Sequence, residues 1–259
     1  MQAVKMCFEQ ILTILRSLAM NAYAGEFLGT MCLIFLGDGV VANVILKDTK
    51  AEGTGWLAIT FGWGIALALC IYGFGGVSGA HLNPALTIGL AVSGGFDAAL
   101  VPGYIIAQVA GAFCGAAGVY LYFLPHFNRT ENPALKLAVF STGPAIRHTA
   151  SNFFCEVVGT FALLYGVLVI ANAPMADGLR PLAIGVLLIG IGLSIGGTTG
   201  YALNPARDLG PRIFHTIAPI KGKGSSDWEY GWIPVAAPIV GGLLACLAYN
   251  LLKGIGFSM

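Results

Sequence analysis

In the stretch GYALNPARDLGPRIF, residues 200–214, Arg207 stands among glycines and apolar side chains, in a chain that is 57% hydrophobic and only 10% charged. A guanidinium presents five N–H donors in a rigid fork, which suits it to holding two adjacent oxygens rather than to nucleophilic or proton-transfer chemistry. At the centre of a bilayer it costs about 2.5 to 3.5 kcal/mol even on the lenient insertion scale, so it needs both partners and a use. Just before it, Asn204-Pro205-Ala206 repeats an earlier Asn83-Pro84-Ala85. Each Asn brings an amide that donates and accepts, and each motif follows glycines that let extended backbone turn its carbonyls to one side. The chemistry on offer is exchange of hydrogen bonds with a neutral polar solute. No phosphate loop, nucleophile elbow or metal-ligand spacing is present, so the sequence predicts neither an enzyme nor a cofactor.

The elements that must position these groups are membrane helices. A hydrocarbon core of ~30 Å takes ~20 apolar residues per helical span, and six stretches qualify, at about 23–46, 55–74, 98–122, 152–171, 181–195 and 232–252. The formal net charge of +1 and the absence of a basic cluster point away from nucleic acid. Cys7, Cys32, Cys70, Cys114, Cys155 and Cys246 lie in apolar helical surroundings without C-x-x-C or Cys/His spacing, and read as small core residues. At the N-terminus Phe8, Ile11, Leu12, Leu15 and Leu18 make one helical face, interrupted for a signal peptide by Glu9, Gln10, Thr13 and Arg16. A retained amphipathic helix on the membrane surface is expected there.

Two internal matches organise the chain. GEFLGT at 25–30 returns as CEVVGT at 155–160, and GVSGAHLNPA at 76–85 returns as GTTGYALNPA at 197–206. Three spans per copy is an odd number, so the second copy must be inverted relative to the first. The expected division of a single 1–259 domain is an amphipathic segment 1–22, a first repeat 23–123, a connecting loop 124–151 and a second repeat 152–254. After each motif comes an apolar segment of about ten residues, enough helix for ~15 Å, or half the core. Asn is a favoured N-cap and Pro a favoured first helical residue, so two half-helices are expected to start at mid-membrane and point apart. The repeated Glu26 and Glu156 are read as buried carboxylates that accept N–H bonds from the loops before those starts. Asp208 is read as a partner of Arg212; Asp38 has no counterpart in the second repeat, and a helix-packing hydrogen bond is its default reading, with a role at the pore mouth as the alternative.

With these residues in hand, the chain from about Gly25 to Leu252 resembles the major intrinsic protein family, the aquaporins and aquaglyceroporins, and its longer NPARD resembles the glycerol-conducting branch. The resemblance implies an all-α fold of six transmembrane helices and two re-entrant half-helices in an inverted repeat. It implies that Asn83 and Asn204 donate at the pore centre, while Gly79, Ala80 and His81, with Thr199, Gly200 and Tyr201, supply a ladder of carbonyls. It also implies a filter of Trp63, Gly192, Tyr201 and Arg207: two flat aromatic faces, a forked donor and an open space. Water-selective relatives carry a histidine where this chain has Gly192, and commoner glycerol facilitators a Phe where it has Tyr201. The implied function is a passive channel for glycerol, other small neutral solutes and water, set in the cell membrane as a homotetramer with both termini cytoplasmic. The Lys/Arg distribution runs against that orientation, since it leaves Lys47, Lys50, Arg129, Lys136, Arg147, Lys221 and Lys223 outside. The alternatives are a water-selective channel of the same fold, a secondary transporter, and a junctional membrane protein with no use for a pore arginine.

Overall fold

A computed structural model describes residues 21–255; the amphipathic helix expected before them lies outside that range. Among the described residues six helices are long and apolar enough to cross a membrane, at Ala22–Ile45, Trp56–Ser78, Ala98–Tyr122, Thr149–Asn172, Leu179–Thr198 and Trp228–Gly254. We number the helices α1 (Ala22–Ile45), α2 (Trp56–Ser78), α3 (Pro84–Val92), α4 (Val101–Tyr122), α5 (Leu124–Arg129) and α6 (Pro133–Phe140). The second half holds α7 (Thr149–Asn172), α8 (Leu179–Ile195), α9 (Pro205–Ile217), α10 (Trp228–Gly231) and α11 (Ile233–Gly254). The chain is an all-helical, multi-pass membrane protein.

The packing carries the symmetry that the repeats imply. In the first half α1 packs on α4 and α2; in the second, α7 packs on α11 and α8 in the same way. Each half-helix crosses over, α3 lying against α11 and α9 against α4, so neither half is complete alone. Bare backbone permits these approaches: a Cβ on Gly111 of α4 would lie 2.2 Å from the Phe27 carbonyl oxygen, and one on Gly241 of α11 would lie 2.3 Å from that of Val157. In a membrane such close backbone contact replaces the hydrophobic drive between helices that lipid removes.

Both half-helices start where the cap chemistry places them. Asn83 Oδ1 accepts from Ala85 N at 2.8 Å, and Asn204 Oδ1 accepts from Ala206 N at 3.0 Å and Arg207 N at 3.3 Å. A third Asn-Pro-Ala, at 132–134, starts α6 by the same bond, Ala134 N to Asn132 Oδ1 at 2.9 Å. The tripeptide by itself is therefore a helix start, and it is the loop in front of it that differs at the two central copies. Two expectations need correction. Gly75 and Gly76 are not extended backbone, because α2 continues to Ser78 and only then turns at Gly79, whose φ is +84°. Their counterparts Gly196 and Gly197 lie in a turn of 3₁₀ helix, and the matching left-handed turn is at Gly200 with φ +83°. Nor is 124–151 simply a loop: it contains α5 and α6.

Candidate functional site

Behind each Asn-Pro-Ala, the backbone visits the left-handed region at residues that resist it. Ala80 and Leu82 have φ of +47° and +50°, and Tyr201 and Leu203 have +39° and +54°. Each such residue costs on the order of 1–3 kcal/mol and persists only when its surroundings hold it. The two repeated carboxylates do so. Glu26, fully buried, accepts from Ser78 Oγ at 2.7 Å, His81 N at 2.9 Å, Leu82 N at 2.7 Å and Gln108 Nε2 at 2.7 Å. Glu156, also fully buried, accepts from Ala202 N at 3.0 Å and Leu203 N at 3.1 Å, and bonds the Thr199 side chain. Bonds to a charged group are worth roughly 1.5–3 kcal/mol each, enough to offset the strained pair in each loop.

Glu26→Gln keeps the shape but turns one acceptor into a donor facing donors. We expect it to destabilise the purified protein by about 3 kcal/mol, more than Glu156→Gln, because Glu26 serves four donors. Thermal unfolding in detergent checks this, and an unchanged midpoint for both variants would remove the carboxylates from this role.

The loops meet and lock across the midplane. Asn83 Nδ2 donates to the Leu203 carbonyl at 2.9 Å, and Asn204 Nδ2 donates to the Leu82 carbonyl at 2.6 Å. An amide carries two N–H groups, so one remains on each Asn for a solute. Both side chains line a cavity of about 130 Å³ together with Gly79, Ala80, His81, Tyr201, Ala202 and Arg207. By a measure in which a water needs ~10–15 Å³, that volume holds on the order of ten waters. The rest of the lining is apolar and includes Leu33, Leu67, Ile71, Leu163, Val167, Ile184 and Leu188.

At one place in this cavity Trp63, Tyr201 and Arg207 converge. The Arg207 guanidinium carbon lies 4.3 Å from the centroid of the Trp63 ring, and both side chains are largely buried. Gly37 makes room for that indole, since a Cβ there would lie 2.4 Å from Trp63 Cζ3. Gly192 is beside this corner but not among the lining residues: its Cβ would meet Thr60 Cγ2 at 2.8 Å and Tyr201 Cζ at 3.1 Å. Thr199 and Gly200 also lie off the cavity, Thr199 on Glu156 and Gly200 with its Cα facing Thr142. Pro84, Ala85, Pro205 and Ala206 are buried in the helix starts.

Two contacts on Arg207 have no forerunner in the sequence reading. Its Nη1 donates to Asp38 Oδ1 at 3.2 Å and to the Phe140 carbonyl at 3.1 Å, the latter from α6 in the connecting segment. Asp208 pairs instead with Arg212, at 2.7 Å to Nε and 3.0 Å to Nη2, and accepts from Thr142 N and Oγ1 at 2.8 Å each. Arg212 in turn donates to the carbonyls of Thr142, Ser226 and Asp227. That second buried pair ties the half-helix to the segments around it. The cations that count against cytoplasmic termini are mostly engaged locally, as in the pairs Lys47–Glu52, Arg129–Asp48 and Arg147–Asp227. Lys136 is buried and bonds the Lys221 carbonyl; burial first, then the Lys221 charge, lowers its pKa from the ordinary value.

This arrangement of inverted repeats, crossed half-helices and a shared cavity has known relatives. A model of the major intrinsic protein family matches residues 14–249. The chain belongs to that family. This major intrinsic protein is 57% identical over 233 residues to the probable glycerol uptake facilitator protein of Thermotoga maritima, covering 90% of this chain and 100% of that one. It is 54% identical over 231 residues to the glycerol uptake facilitator protein of Bacillus subtilis, covering 89% and 84%. Among solved structures, the X-ray structure of the aquaglyceroporin from Plasmodium falciparum matches it with a TM-score of 0.81 at 34% identity, covering 91% of this chain and 98% of that one.

Proposed function

We propose that this major intrinsic protein is a passive channel for glycerol, other small neutral solutes and water, closed to protons and ions. The observation that carries the reading is the corner of the cavity where Trp63, Tyr201 and Arg207 meet beside the side-chain-free Gly192. The two aromatic faces suit the CH edge of a polyol, and the forked N–H donors suit adjacent hydroxyls. Beyond that corner the free amide N–H groups of Asn83 and Asn204, and the carbonyls of the loops, take over the solute's hydrogen bonds at little net change in free energy. The glycerol facilitators and the aquaglyceroporin among its relatives support the same solute class. The reading extends to a cell-membrane homotetramer with one pore per subunit and both termini in the cytoplasm.

Flux is expected to be downhill and uncoupled. Glycerol uptake into proteoliposomes should be the same whether a proton or sodium gradient is imposed or collapsed, and should stop at the external concentration. Accumulation above that concentration would make the protein a transporter. A swelling panel with glycerol, dihydroxyacetone, urea and lactic acid on the same vesicles ranks the solutes.

A further inference from the structure

We propose that Asp38 is the counter-charge of Arg207 and a specificity-determining residue of the pore, one that keeps small anions out. The inference rests on the channel reading above and begins with a break in the repeat. Glu26 returns 130 positions later as Glu156, and by the same offset Asp38 falls on Leu168. The Asn-Pro-Ala motifs are 121 positions apart, and by that offset Arg207 falls on Leu86, which lines the cavity. The symmetry mate of the Asp38–Arg207 pair is therefore a leucine and a leucine. Packing at this place does not require an ion pair, because the inverted half does without one. The two charges are paired with each other at 3.2 Å.

The remaining fixed charges near the cavity are accounted for. Asp208 and Arg212 neutralise each other. Glu26 and Glu156 are bonded to the N–H groups of the loops and do not line the cavity. Arg207 is left, and it lines the cavity. Alone it would repel cations but would also lower the barrier to nitrate or formate, which are no larger than the neutral solutes. Asp38 is 0% exposed, does not line the cavity, and has one carboxylate oxygen on Arg207 and, among the described residues, no partner on the other. Its charge is thus engaged by Arg207 alone, whereas both oxygens of Asp208 are taken up by Arg212 and Thr142. The pair presents a dipole with its positive end to the solute. At contact it still repels a cation, but its field fades with distance much faster than that of a lone guanidinium, so an approaching anion loses most of the attraction.

The test uses vesicles swelling in potassium nitrate with valinomycin, so that potassium follows freely and anion entry sets the rate; glycerol swelling is measured on the same preparations. Asp38→Asn keeps an acceptor for Arg207 and removes only the charge. It should pass glycerol within about a factor of two of the parent and nitrate on the order of tenfold faster, while Asp38→Glu should exclude nitrate as the parent does. A glycerol-conducting Asp38→Asn whose nitrate rate matches the parent overturns the proposal. Failure of the parent itself to swell in glycerol would sink the channel reading, and is seen separately from the nitrate comparison. If Asp38→Asn cannot be obtained folded, the double variant Asp38→Leu/Arg207→Leu, which copies the second half, decides. Its recovery as folded protein supports an unbalanced Arg207 as the fault; its failure means Asp38 is required irrespective of Arg207, and overturns the proposal.

Discussion

Gly192→His should abolish glycerol flux while leaving appreciable water flux. The site has no slack on the helix side. A Cβ at Gly192 would already lie 2.8 Å from Thr60 Cγ2 and 3.1 Å from Tyr201 Cζ, and a Cβ at Gly196, one turn on, would lie 2.6 Å from Tyr201 Cδ1. The Tyr201 ring is thus seated over two glycines of the same stretch, with the edge of Trp56 against it at 5.5 Å and the Trp56 Nε1 on the Gly192 carbonyl at 2.9 Å. A side chain at 192 pushes the ring off that seat, and the ring is part of the cavity wall. A water needs one file of hydrogen-bonding groups and follows the loop carbonyls; a three-carbon polyol needs the width. Excluding a solute by a misplaced ring is worth roughly 2–3 kcal/mol, which is a loss of about a hundredfold. Gly192→Ala should fall between the two. Stopped-flow light scattering on one vesicle preparation gives both fluxes, and equal loss of water and glycerol in a well-folded variant would sink the assignment of this corner as a polyol filter.

The parts of this site that the sequence made legible are those whose chemistry is local. Asn83 and Asn204 could be placed as helix starts because an N-cap bonds within three residues, and the same rule operates at Asn132, where nothing in the repeat is at stake. Glu26 and Glu156 could be read as acceptors for the loops because the repeat paired each with its own loop, and a buried carboxylate needs donors. The end of α2 was misjudged for a related reason: Gly75 and Gly76 are poor helix formers, but Ser78 beyond them is bonded to Glu26, and that contact, 52 residues away in sequence, carries the helix to its true end. The mutual locking of the loops through Leu82 and Leu203 joins residues more than 100 apart and leaves no local trace. The same holds for Phe140, whose carbonyl reaches Arg207 from a segment that reads as a connection. Asp38 was within reach of elimination. Once Asp208 is assigned to Arg212 one turn on, Arg207 and Asp38 are the opposite charges left in apolar surroundings, and a lone carboxylate in a membrane helix calls for a cation.

Arg207→Val should open a proton and cation leak through a pore that still conducts glycerol. Protons hop along hydrogen-bonded water, so a water-filled pore stays tight only if hydronium is unstable somewhere along it. The two half-helices contribute at the midplane, where α3 and α9 begin at Asn83 and Asn204 and aim positive ends at the cavity. Arg207 contributes on the cavity wall, beside the Trp63 ring. Its removal does more than delete one positive charge, because Asp38 remains, fully buried and 3.2 Å from where the guanidinium stood. At an effective dielectric of ~20, a unit charge ~8 Å away shifts the energy of a monovalent cation by about 2 kcal/mol, or roughly thirtyfold in rate. The leak in Arg207→Val therefore has two sources, the lost repulsion and the exposed carboxylate, and Asp38→Leu should remove the second. The double variant Arg207→Val/Asp38→Leu is expected to leak less than Arg207→Val while passing glycerol as well. A pH-sensitive dye inside vesicles held under a potassium–valinomycin potential reads the leak, with glycerol swelling as the measure of an intact pore. If Arg207→Val conducts glycerol and is as tight as empty liposomes, neither Arg207 nor its partner sets the barrier, and the midplane alone must carry it.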